Sequence, residues 1–369
     1  MKILLLGGTG VLSSEVCEEA IRQGYEVYTV TRGRRESLLL DKAHNLFADV
    51  YNEKEITKVL SELSFDVAVD FLVRFPEDLK RTLRVLKNRC KQFVFVSTAT
   101  VYKNNDEIIT ENSEIGNRQW DYALEKEQCE QLLKSTWKDY VETYTIVRPY
   151  VTYGKTRIPS AIVPMAQWSM VNRMLNGKPI PLWDGGGARL NLTHAKDFAK
   201  GFVGLFGNEK AFCQDFHITS KENVTWRTIT ETLACVVGSE AIIEDIPTEY
   251  MAEMLPEFAG QLKYDKSKNW IFNNTKICEA VPSLSFDISY KVGIRETIRY
   301  YMENAHMRSV DYLWEGKIDH MMRKYLKSQG RVFTKEKLSL KACKEQVSVK
   351  NRCLYWIGRE PPFYLNSFY

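Results

Sequence analysis

The sequence predicts an α/β fold of the Rossmann type: a doubly wound parallel sheet, a smaller α/β substrate lobe and a C-terminal extension. Three observations support this fold. The first apolar run breaks into glycines and then a helical pattern, apolar strands alternate with helices as far as residue 149, and this spacing loosens from about residue 155. Alternating strands and helices form parallel sheets, because each connection crosses over through a helix, and such crossovers are right-handed.

The predicted elements follow one another regularly over the first half of the chain. Strands are predicted at 2–6, 26–31, 65–72, 93–97 and 143–149, and helices at 15–21, 79–90 and 120–137. Helices at 162–175, 196–207 and 225–237 and short strands at 215–219 and 241–246 are assigned to the smaller lobe. The expected domains are 1–160 for the dinucleotide, 161–304 for the substrate, with elements free to interleave with the first, and 305–369 for the extension.

The composition indicates a large core and points away from membrane and metal chemistry. With 369 residues and 44% hydrophobic content, the chain can bury a sizeable core. No apolar run is long enough to cross a bilayer, and a strand that starts at Met1 leaves no room for a signal peptide. The eight cysteines form no C-x-x-C pair and no metal-ligand spacing. We therefore expect a cytoplasmic protein without membrane attachment or metal, and the net charge of +4 favours no class of partner.

The glycine turn after the first strand indicates a dinucleotide site. Gly7, Gly8 and Gly10 lie between a predicted strand and a predicted helix, and a second strand follows within about thirty residues. Glycines allow backbone N–H groups and the helix N-terminus to approach a pyrophosphate. A tight turn between strand and helix uses glycine for steric reasons too, but this context favours the cofactor.

Three further residues fit one catalytic arrangement. Thr98 comes where the chain leaves a predicted central strand, and Tyr122 and Lys126 are four residues apart on one face of a predicted helix. A nearby ammonium lowers the pKa of a phenol, so the phenolate becomes accessible closer to neutral pH. The Thr98 hydroxyl is then placed to hold a reacting oxygen beside a nicotinamide. The sequence therefore predicts a hydride-transfer centre.

These motifs resemble those of the extended short-chain dehydrogenases/reductases, the NAD-dependent epimerase/dehydratase family, which includes UDP-galactose 4-epimerase. The resemblance covers roughly residues 1–300 and depends on Gly7-x-x-Gly10, Ser97-Thr98-x-x-Val101-Tyr102, Tyr122-x-x-x-Lys126 and Arg148-Pro149-x-x-x-Tyr153-Gly154. It implies that Tyr122 is the acid/base, that Lys126 lowers its pKa and binds the nicotinamide ribose, and that Thr98 orients the substrate oxygen. It also implies a homodimer that forms through the helix carrying Tyr122 and its neighbour.

The same resemblance implies the remaining site residues. Asp49 contacts the adenine, the 150–153 loop flanks the nicotinamide, and Arg189 clamps the diphosphate of a sugar nucleotide, for which a bidentate guanidinium is suited. The full set for the cofactor is Gly7, Thr9, Gly10, Val11, Leu12, Arg32, Arg35, Asp49, Val50, Phe71, Leu72, Ser97, Tyr122, Lys126, Pro149, Tyr150 and Val151. The set for the substrate is Thr98, Tyr153 and Arg189.

Two departures from the family pattern concern the cofactor. Ser13 stands at the usual third glycine, where we expect slightly looser packing of helix on strand and unchanged phosphate contacts. The second strand ends at Thr31-Arg32, where a site that prefers NAD places an acid on the ribose. Arg32, with Arg34 or Arg35, is suited to a 2′-phosphate, so NADP is favoured over NAD. The alternative is that these arginines are solvated loop charges.

Other departures concern the substrate. Val151 replaces an asparagine that many relatives use on the substrate. Thr98 is followed by Ala99-Thr100 rather than by the acidic pair of 4,6-dehydratases, so dehydration is disfavoured.

A second resemblance leads to a different function. The segment from Thr193 to Ala199, with 207–211 and 216–219, is similar to an atypical branch that includes the chloroplast stem-loop RNA-binding proteins. We interpret His194 as a structural hydrogen-bonding residue rather than a catalytic one. The extension 305–369 is basic and ends in aromatic residues, which suits RNA or an acidic partner. The simpler interpretation, a solvated helix pair whose aromatic end packs on the body or a second subunit, is favoured.

The sequence therefore supports two main hypotheses. The first is an NAD(P)-dependent nucleotide-sugar epimerase or 4-keto-sugar reductase, because a pure binding protein needs none of Thr98, Tyr122 and Lys126. The second is an RNA-binding protein that keeps a reductase fold, since fold does not determine function. A third and weaker reading is a reductase of a small carbonyl compound that lacks a nucleotide.

Overall fold

The computed structural model describes residues 1–34, 41–104, 107–160, 162, 164 and 166–331. These residues form two compact units, each made of several chain segments. The first unit comprises Met1–Gly154, Leu190–Asn223 and Trp270–Tyr290. The second comprises Lys155–Arg189, Val224–Asn269 and the described residues from Lys291 onward. Our domain boundaries at 160 and 304 remain predictions.

A seven-stranded parallel sheet forms the centre of the first unit, with strand order β11-β6-β5-β4-β1-β2-β3. The strands are β1 (Lys2–Leu6), β2 (Glu26–Thr31), β3 (His44–Phe47), β4 (Phe65–Asp70), β5 (Cys90–Val96), β6 (Thr143–Pro149) and β11 (Gln214–Ile218). Short strands β7 (Thr152–Tyr153), β9 (Arg189–Asn191), β10 (Thr193–His194) and β12 (Asn223–Thr225) form separate pairs. The predicted Rossmann-type sheet is confirmed, and its order reverses between β1 and β4.

Helices cover both faces of this sheet. They are α1 (Val11–Arg22), α2 (Glu53–Val59), α3 (Pro76–Leu86), α4 (Asp121–Thr136), α6 (Ala195–Val203) and α10 (Thr275–Ala280). Alternate residues of β1 lie on opposite faces of the sheet. Ile3 and Leu5 pack in one buried cluster with α1 and α6. Leu4 and Leu6 pack in a second cluster with α2, α3 and α4. A strand that is buried on both faces is a run of apolar residues, as β1 is after Lys2.

Two elements that we assigned to the smaller lobe belong to the first unit, an interleaving that the prediction allowed. The strand at 215–219 was expected in the smaller lobe, yet β11 pairs in parallel with β6 at the edge of the main sheet. The helix at 196–207 was expected there too, yet α6 places Phe198 and Phe202 in the cluster that contains Ile3 and Leu5. The reason is burial, because the apolar faces of both elements complete the core of the first unit.

The second unit has its own small parallel pair, β8 (Ile180–Trp183) and β13 (Ile243–Ile246). Its helices are α5 (Trp168–Leu175), α7 (Trp226–Val236), α8 (Thr248–Met254), α9 (Ala259–Gln261), α11 (Tyr290–Glu303) and α12 (Tyr312–Ser328). Helix α11 begins at the last residue of the first unit. A π-helical turn lies at Leu262–Lys266. Within the described ranges, no helix has the length and apolarity to cross a membrane.

Four buried charges join α12 to the rest of the second unit. Arg173 Nη1 lies 2.8 Å from a carboxylate oxygen of Glu315 and 2.8 Å from one of Asp319. Lys178 Nζ lies 2.9 Å from Glu315 and 3.3 Å from Asp319. The expectation of a solvated helix is therefore wrong for α12. One face of this helix is buried, and that face carries Glu315, Asp319 and apolar residues such as Ile318 and Met322. The rest of the predicted extension, 332–369, lies outside the described residues.

Candidate functional site

The turn after β1 requires glycine at its first position. Gly7 has φ +91°, a region that favours glycine, and its amide donates to the Val30 carbonyl at 3.0 Å. A Cβ added here would lie 2.8 Å from Cγ of Leu72, which follows β4. The backbone of the turn therefore approaches its neighbours more closely than any side chain allows.

The N-terminus of α1 follows directly. Gly10 is the capping residue, and its amide donates to Oγ of the buried Ser13 at 2.8 Å. Ser13 thus accepts a capping hydrogen bond that a glycine cannot accept. The looser packing of α1 on the strand that we expect from Ser13 stays a prediction. The amides of Val11 and Leu12 lie in the first turn, where N–H groups lack partners within a helix and favour anions. The predicted contact of Thr9 stays a prediction.

The carboxyl ends of β2 and β3 lie on the same edge of the sheet. Arg32 follows β2 and is exposed. Asp49 is half-buried after β3: its amide donates to Glu55 at 3.1 Å, and its Oδ1 accepts from the Tyr51 amide at 3.0 Å. Val50 beside it is buried. Arg35, which we predicted with Arg32 at the cofactor, lies outside the described residues.

The buried carboxylate of Asp70, at the end of β4, holds the backbone that follows this strand. Asp70 Oδ1 accepts from the Leu72 amide at 2.8 Å, and Oδ2 accepts from the Thr82 hydroxyl at 2.6 Å. Burial raises the pKa of Asp70, and these hydrogen bonds oppose the rise. The Phe71 amide donates to Leu6 O at 3.1 Å, so Phe71 and Leu72 are held beside the end of β1.

The end of β5 presents two hydroxyl groups. Ser97 Oγ donates to Glu130 at 2.6 Å, and Thr98 Oγ1 lies 3.0 Å from Thr100 Oγ1 and accepts from the Thr100 amide at 3.3 Å. Both Ser97 and Thr98 are buried. These contacts hold the Thr98 oxygen in place, and either threonine hydroxyl can be the donor between them.

Helix α4 brings Lys126 to the ends of two strands. Its Nζ donates to Val73 O at 2.5 Å and to Val96 O at 2.9 Å, and the side chain is buried. Desolvation lowers the pKa of Lys126 to about 8, against the opposing charges of nearby acidic groups. Tyr122, one helical turn earlier, is partly buried, and its ring lies 5.2 Å from that of Trp120. The predicted pair therefore lies on one helix face, and burial brings the pKa of the Lys126 ammonium closer to neutral pH.

A buried charged network behind Ser97 was not predicted. Arg148 is wholly buried, and its Nε and Nη2 donate to Glu130 at 2.9 and 2.6 Å. Its Nη1 donates to Tyr102 Oη at 2.9 Å, and its Nη2 also donates to Asp215 at 2.7 Å. One signal was available: Glu130 follows Lys126 by four residues and therefore lies on the same face of α4.

The network continues to His217. Its Nδ1 lies 3.3 Å from Tyr102 Oη, and its Nε2 lies 2.7 Å from the Asn273 carbonyl, so Nε2 carries the proton and Nδ1 accepts. Desolvation lowers the pKa of His217 to about 4. The ring is therefore neutral at physiological pH.

The loop after β6 is packed tightly. Pro149 ends β6, Tyr150 stacks on Trp270 at 5.2 Å between ring centroids, and the Val151 carbonyl accepts from Thr193 at 3.1 Å. Tyr153 is wholly buried and donates to Ser289 O at 3.3 Å. The structure thus gives Tyr153 a packing position, and its substrate contact stays a prediction.

Two further residues had expected roles. His194 Nδ1 accepts from the Lys196 amide at 3.2 Å and caps α6, which confirms the structural hydrogen bond. Arg189 is exposed and belongs to the second unit, where its amide donates to Asn269 at 2.8 Å. Among the described residues, no group of three or more His, Cys, Asp or Glu side chains is arranged to hold a metal.

The predicted site residues of the first unit share one edge of the sheet. They follow the carboxyl ends of β1, β2, β3, β4, β5 and β6, and Lys126 contacts the chain just after β4 and at the end of β5. Open parallel sheets bind ligands at this edge, where the strand order reverses. Here that reversal falls between β1, with the glycine turn, and β4.

Comparisons with known proteins agree with this geometry. The family described as "NAD dependent epimerase/dehydratase family" matches residues 3–214. The chloroplast stem-loop binding protein of 41 kDa b of Arabidopsis thaliana is 29% identical over 250 residues, which are 64% of this chain and 63% of that protein. The match therefore spans less than two thirds of that relative's length. The 2′-dehydrokanamycin reductase of Streptomyces kanamyceticus is 22% identical over 258 residues, 70% of this chain and 72% of that one.

Solved structures show the same fold. The UDP-glucuronic acid 4-epimerase from Bacillus cereus, solved in complex with UDP-glucuronic acid and NAD, has a TM-score of 0.67 and 19% identity, and the match covers 82% of this chain and 99% of that one. At this identity the likeness concerns the fold. The family match, in contrast, spans more than half of the sequence. The chain belongs to the NAD-dependent epimerase/dehydratase family.

Proposed function

We propose that this protein is an NAD(P)-dependent nucleotide-sugar epimerase or 4-keto-sugar reductase. The observation that carries the proposal is the position of Lys126, which α4 holds at the ends of β4 and β5, one turn from Tyr122. The Bacillus cereus structure holds a nucleotide sugar and NAD, and the Streptomyces relative is named a reductase. These two names support the two forms of the proposal.

The residues around the glycine turn fit a dinucleotide. The space that a Cβ would fill at Gly7 is taken by Leu72, so the turn carries bare backbone at this position. The first turn of α1 offers amides to a pyrophosphate. A nicotinamide dinucleotide bound there supplies hydride transfer to or from a sugar carbon. Because an exposed Arg32 follows β2, we propose NADP over NAD.

The chemistry of the chain's own groups is proton transfer and positioning. Tyr122 gives or takes the proton at the substrate oxygen, and the positive charge of Lys126 favours its phenolate. The Thr98 hydroxyl donates to the same oxygen, and Arg189 is the proposed ligand of the diphosphate. A homodimer and the roles of the other residues in the predicted set also remain proposals.

The test is a Tyr122→Phe variant. A thermal-shift screen of UDP-, GDP-, CDP- and dTDP-sugars identifies the substrate nucleotide. Turnover is then followed by chromatographic separation of the product sugar nucleotide for epimerisation, which leaves the cofactor unchanged overall, and by loss of reduced-nicotinamide absorbance for reduction. We expect the variant to lose about 10²- to 10⁴-fold in turnover, because general acid–base catalysis contributes that much. Tyr28→Phe is the matched control, because its hydroxyl donates to the exposed Glu26. Full turnover by Tyr122→Phe would show that the assignment is wrong.

The second candidate is RNA binding, which the Arabidopsis relative favours. The deletion that tests it has to start at residue 332, because a deletion from 305 also removes Glu315 and Asp319, the carboxylate partners of Arg173 and Lys178. RNA binding that survives Tyr122→Phe and disappears with residues 332–369 would support this candidate. Absence of RNA binding by the full chain would reject it.

A further inference from the structure

A half-exposed aromatic ring lies at the edge of the sheet where the adenosine half of a dinucleotide binds. Tyr51 follows Asp49 by two residues, and 50% of its surface is accessible. Its hydroxyl donates to the Leu72 carbonyl at 3.3 Å. Leu72 also lines the space against Gly7. The side chain of Tyr51 therefore reaches from the end of β3 to the end of β4, beside the glycine turn.

A guanidinium covers one face of this ring. Arg81, on α3, has its Cζ 4.8 Å from the centre of the Tyr51 ring. Its Nη1 and Nη2 donate to one oxygen of Asp78 at 3.1 Å, and its Nε has no hydrogen-bond partner among the described residues. The other oxygen of Asp78 accepts the amides of Arg74 and Phe75 at the start of α3. One oxygen of Asp78 therefore caps the N-terminus of α3, and the other accepts from Arg81.

A second guanidinium follows the neighbouring strand β2. Arg32 comes directly after Thr31, whose carbonyl accepts from the Ala48 amide at 3.0 Å, so Arg32 lies beside the segment that leads from β3 to Tyr51. Burial raises the pKa of Tyr51, the charges of Asp78 and Asp70 add to the rise, and the positive charges of Arg81 and Arg32 oppose it. Two cations and one ring converge at the edge formed by β2, β3 and β4.

We propose that the free face of Tyr51 stacks on the adenine, and that Arg81 acts with Arg32 on an adenosine 2′-phosphate. This inference depends on the proposed dinucleotide function, and it adds Tyr51 and Arg81 to the specificity residues. Aromatic rings stack on any base without sequence preference. Guanidinium groups bind phosphate in fixed, charge-assisted geometry. Arg81 packs on one face of Tyr51 and so brings positive charge beside the ring.

The experiment measures dissociation constants of NADPH and NADH for the full chain by energy transfer from tryptophan. Tyr51→Ala is expected to weaken both cofactors alike, by about 5- to 100-fold. Arg81→Met and Arg32→Met are each expected to weaken NADPH by about 10-fold or more and NADH by less than about 2-fold. Arg84→Met is the matched control on α3, because Arg84 pairs with Glu53, and it is expected to change neither constant.

Each outcome bears on one part of the inference. Equal weakening of both cofactors by Arg81→Met would overturn the phosphate role, and unchanged binding by Tyr51→Ala would overturn the stacking role. If Arg81→Met does not fold, Arg81→Lys keeps the charge without the planar fork, and it must still weaken NADPH selectively. Failure of the wild-type chain to bind either cofactor would instead contradict the proposed function.

Discussion

The buried pair of Glu130 and Arg148 allows a quantitative prediction. Glu130→Gln keeps the shape of the side chain and removes its charge. Arg148 then remains wholly buried, with Asp215 at 2.7 Å as its charged partner within this network. We expect the variant to be strongly destabilised, because a buried guanidinium loses a carboxylate that it contacts through two of its nitrogens.

The magnitude follows from burial. Breaking a buried ion pair from one side costs about 3–5 kcal/mol. Because Asp215 stays in place, we take the lower end, about 3 kcal/mol, for the loss in free energy of unfolding. Whole domains have about 5–15 kcal/mol of stability, so the change is large. An exposed pair such as Lys80 and Glu77, with side chains 45% and 77% exposed, is worth about 0–1 kcal/mol.

The assay is urea unfolding of the full chain, followed by tryptophan fluorescence. Glu77→Gln is the matched control, since the same chemical change is made in the exposed pair. The double variant Glu130→Met/Arg148→Met completes the design. Replacing both members of a buried ion pair by apolar residues is often neutral, so the double variant should lose at least about 1 kcal/mol less than the sum of the two single changes.

One result would refute this reasoning. If Glu130→Gln costs less than about 1 kcal/mol more than Glu77→Gln, then Arg148 does not depend on Glu130 for charge balance. Additive effects in the double variant would lead to the same conclusion.

Two further predictions concern pH. Lys126 has a pKa of about 8 in the folded chain against 10.5 for a free lysine, so the unfolded chain binds more protons between these values and stability rises with pH across that window. The rise in the free energy of unfolding amounts to at most about 3 kcal/mol, and Lys126→Met should lack it. The free energy of unfolding is measured at pH 7 and pH 10 for the wild-type chain and the variant. Equal rises in the two would show that burial does not lower the pKa of Lys126. His217 has a folded pKa of about 4 against 6.5, so the same sign applies and stability falls as pH drops from 6.5 to 4. His217→Gln should be less sensitive to acid over this range in urea titrations, and an unchanged acid sensitivity would show that His217 is not held neutral by burial.

The first part of the fold could be predicted because its signals are local. The run from β1 through α1 to β2 is encoded by neighbouring residues: an apolar strand, glycines that fit a close turn, and a helical period. The pairing of Tyr122 with Lys126 is local in the same way, because four residues make one turn of a helix. Such features need no knowledge of distant contacts.

The placement of β11 and α6 could not be predicted from neighbouring residues. β11 pairs with β6, which precedes it by many residues, and α6 packs on α1 across the same core. An amphipathic pattern shows that a face is buried and leaves open which partner buries it. The sequence therefore predicted the type of these elements and left open the unit to which they belong.

The charged network depends on contacts of still longer range. Arg148 meets Asp215 across 67 positions and Tyr102 across 46, and His217 meets Tyr102 across 115. Charged residues are mostly exposed, so their sequence carries no sign of burial. Only the position of Glu130 on the same face of α4 as Lys126 gave a hint.

The charge quartet of the second unit has a consequence for how the protein is made. Arg173 and Lys178 leave the ribosome long before their acidic partners, since Glu315 follows them by 142 and 137 positions. At about 5–20 residues per second, that interval is roughly 7–30 seconds. During this time two cations destined for the interior have no carboxylate beside them. The second unit can therefore complete its core only after α12 has been synthesised, when all segments of the first unit have already left the ribosome or are about to.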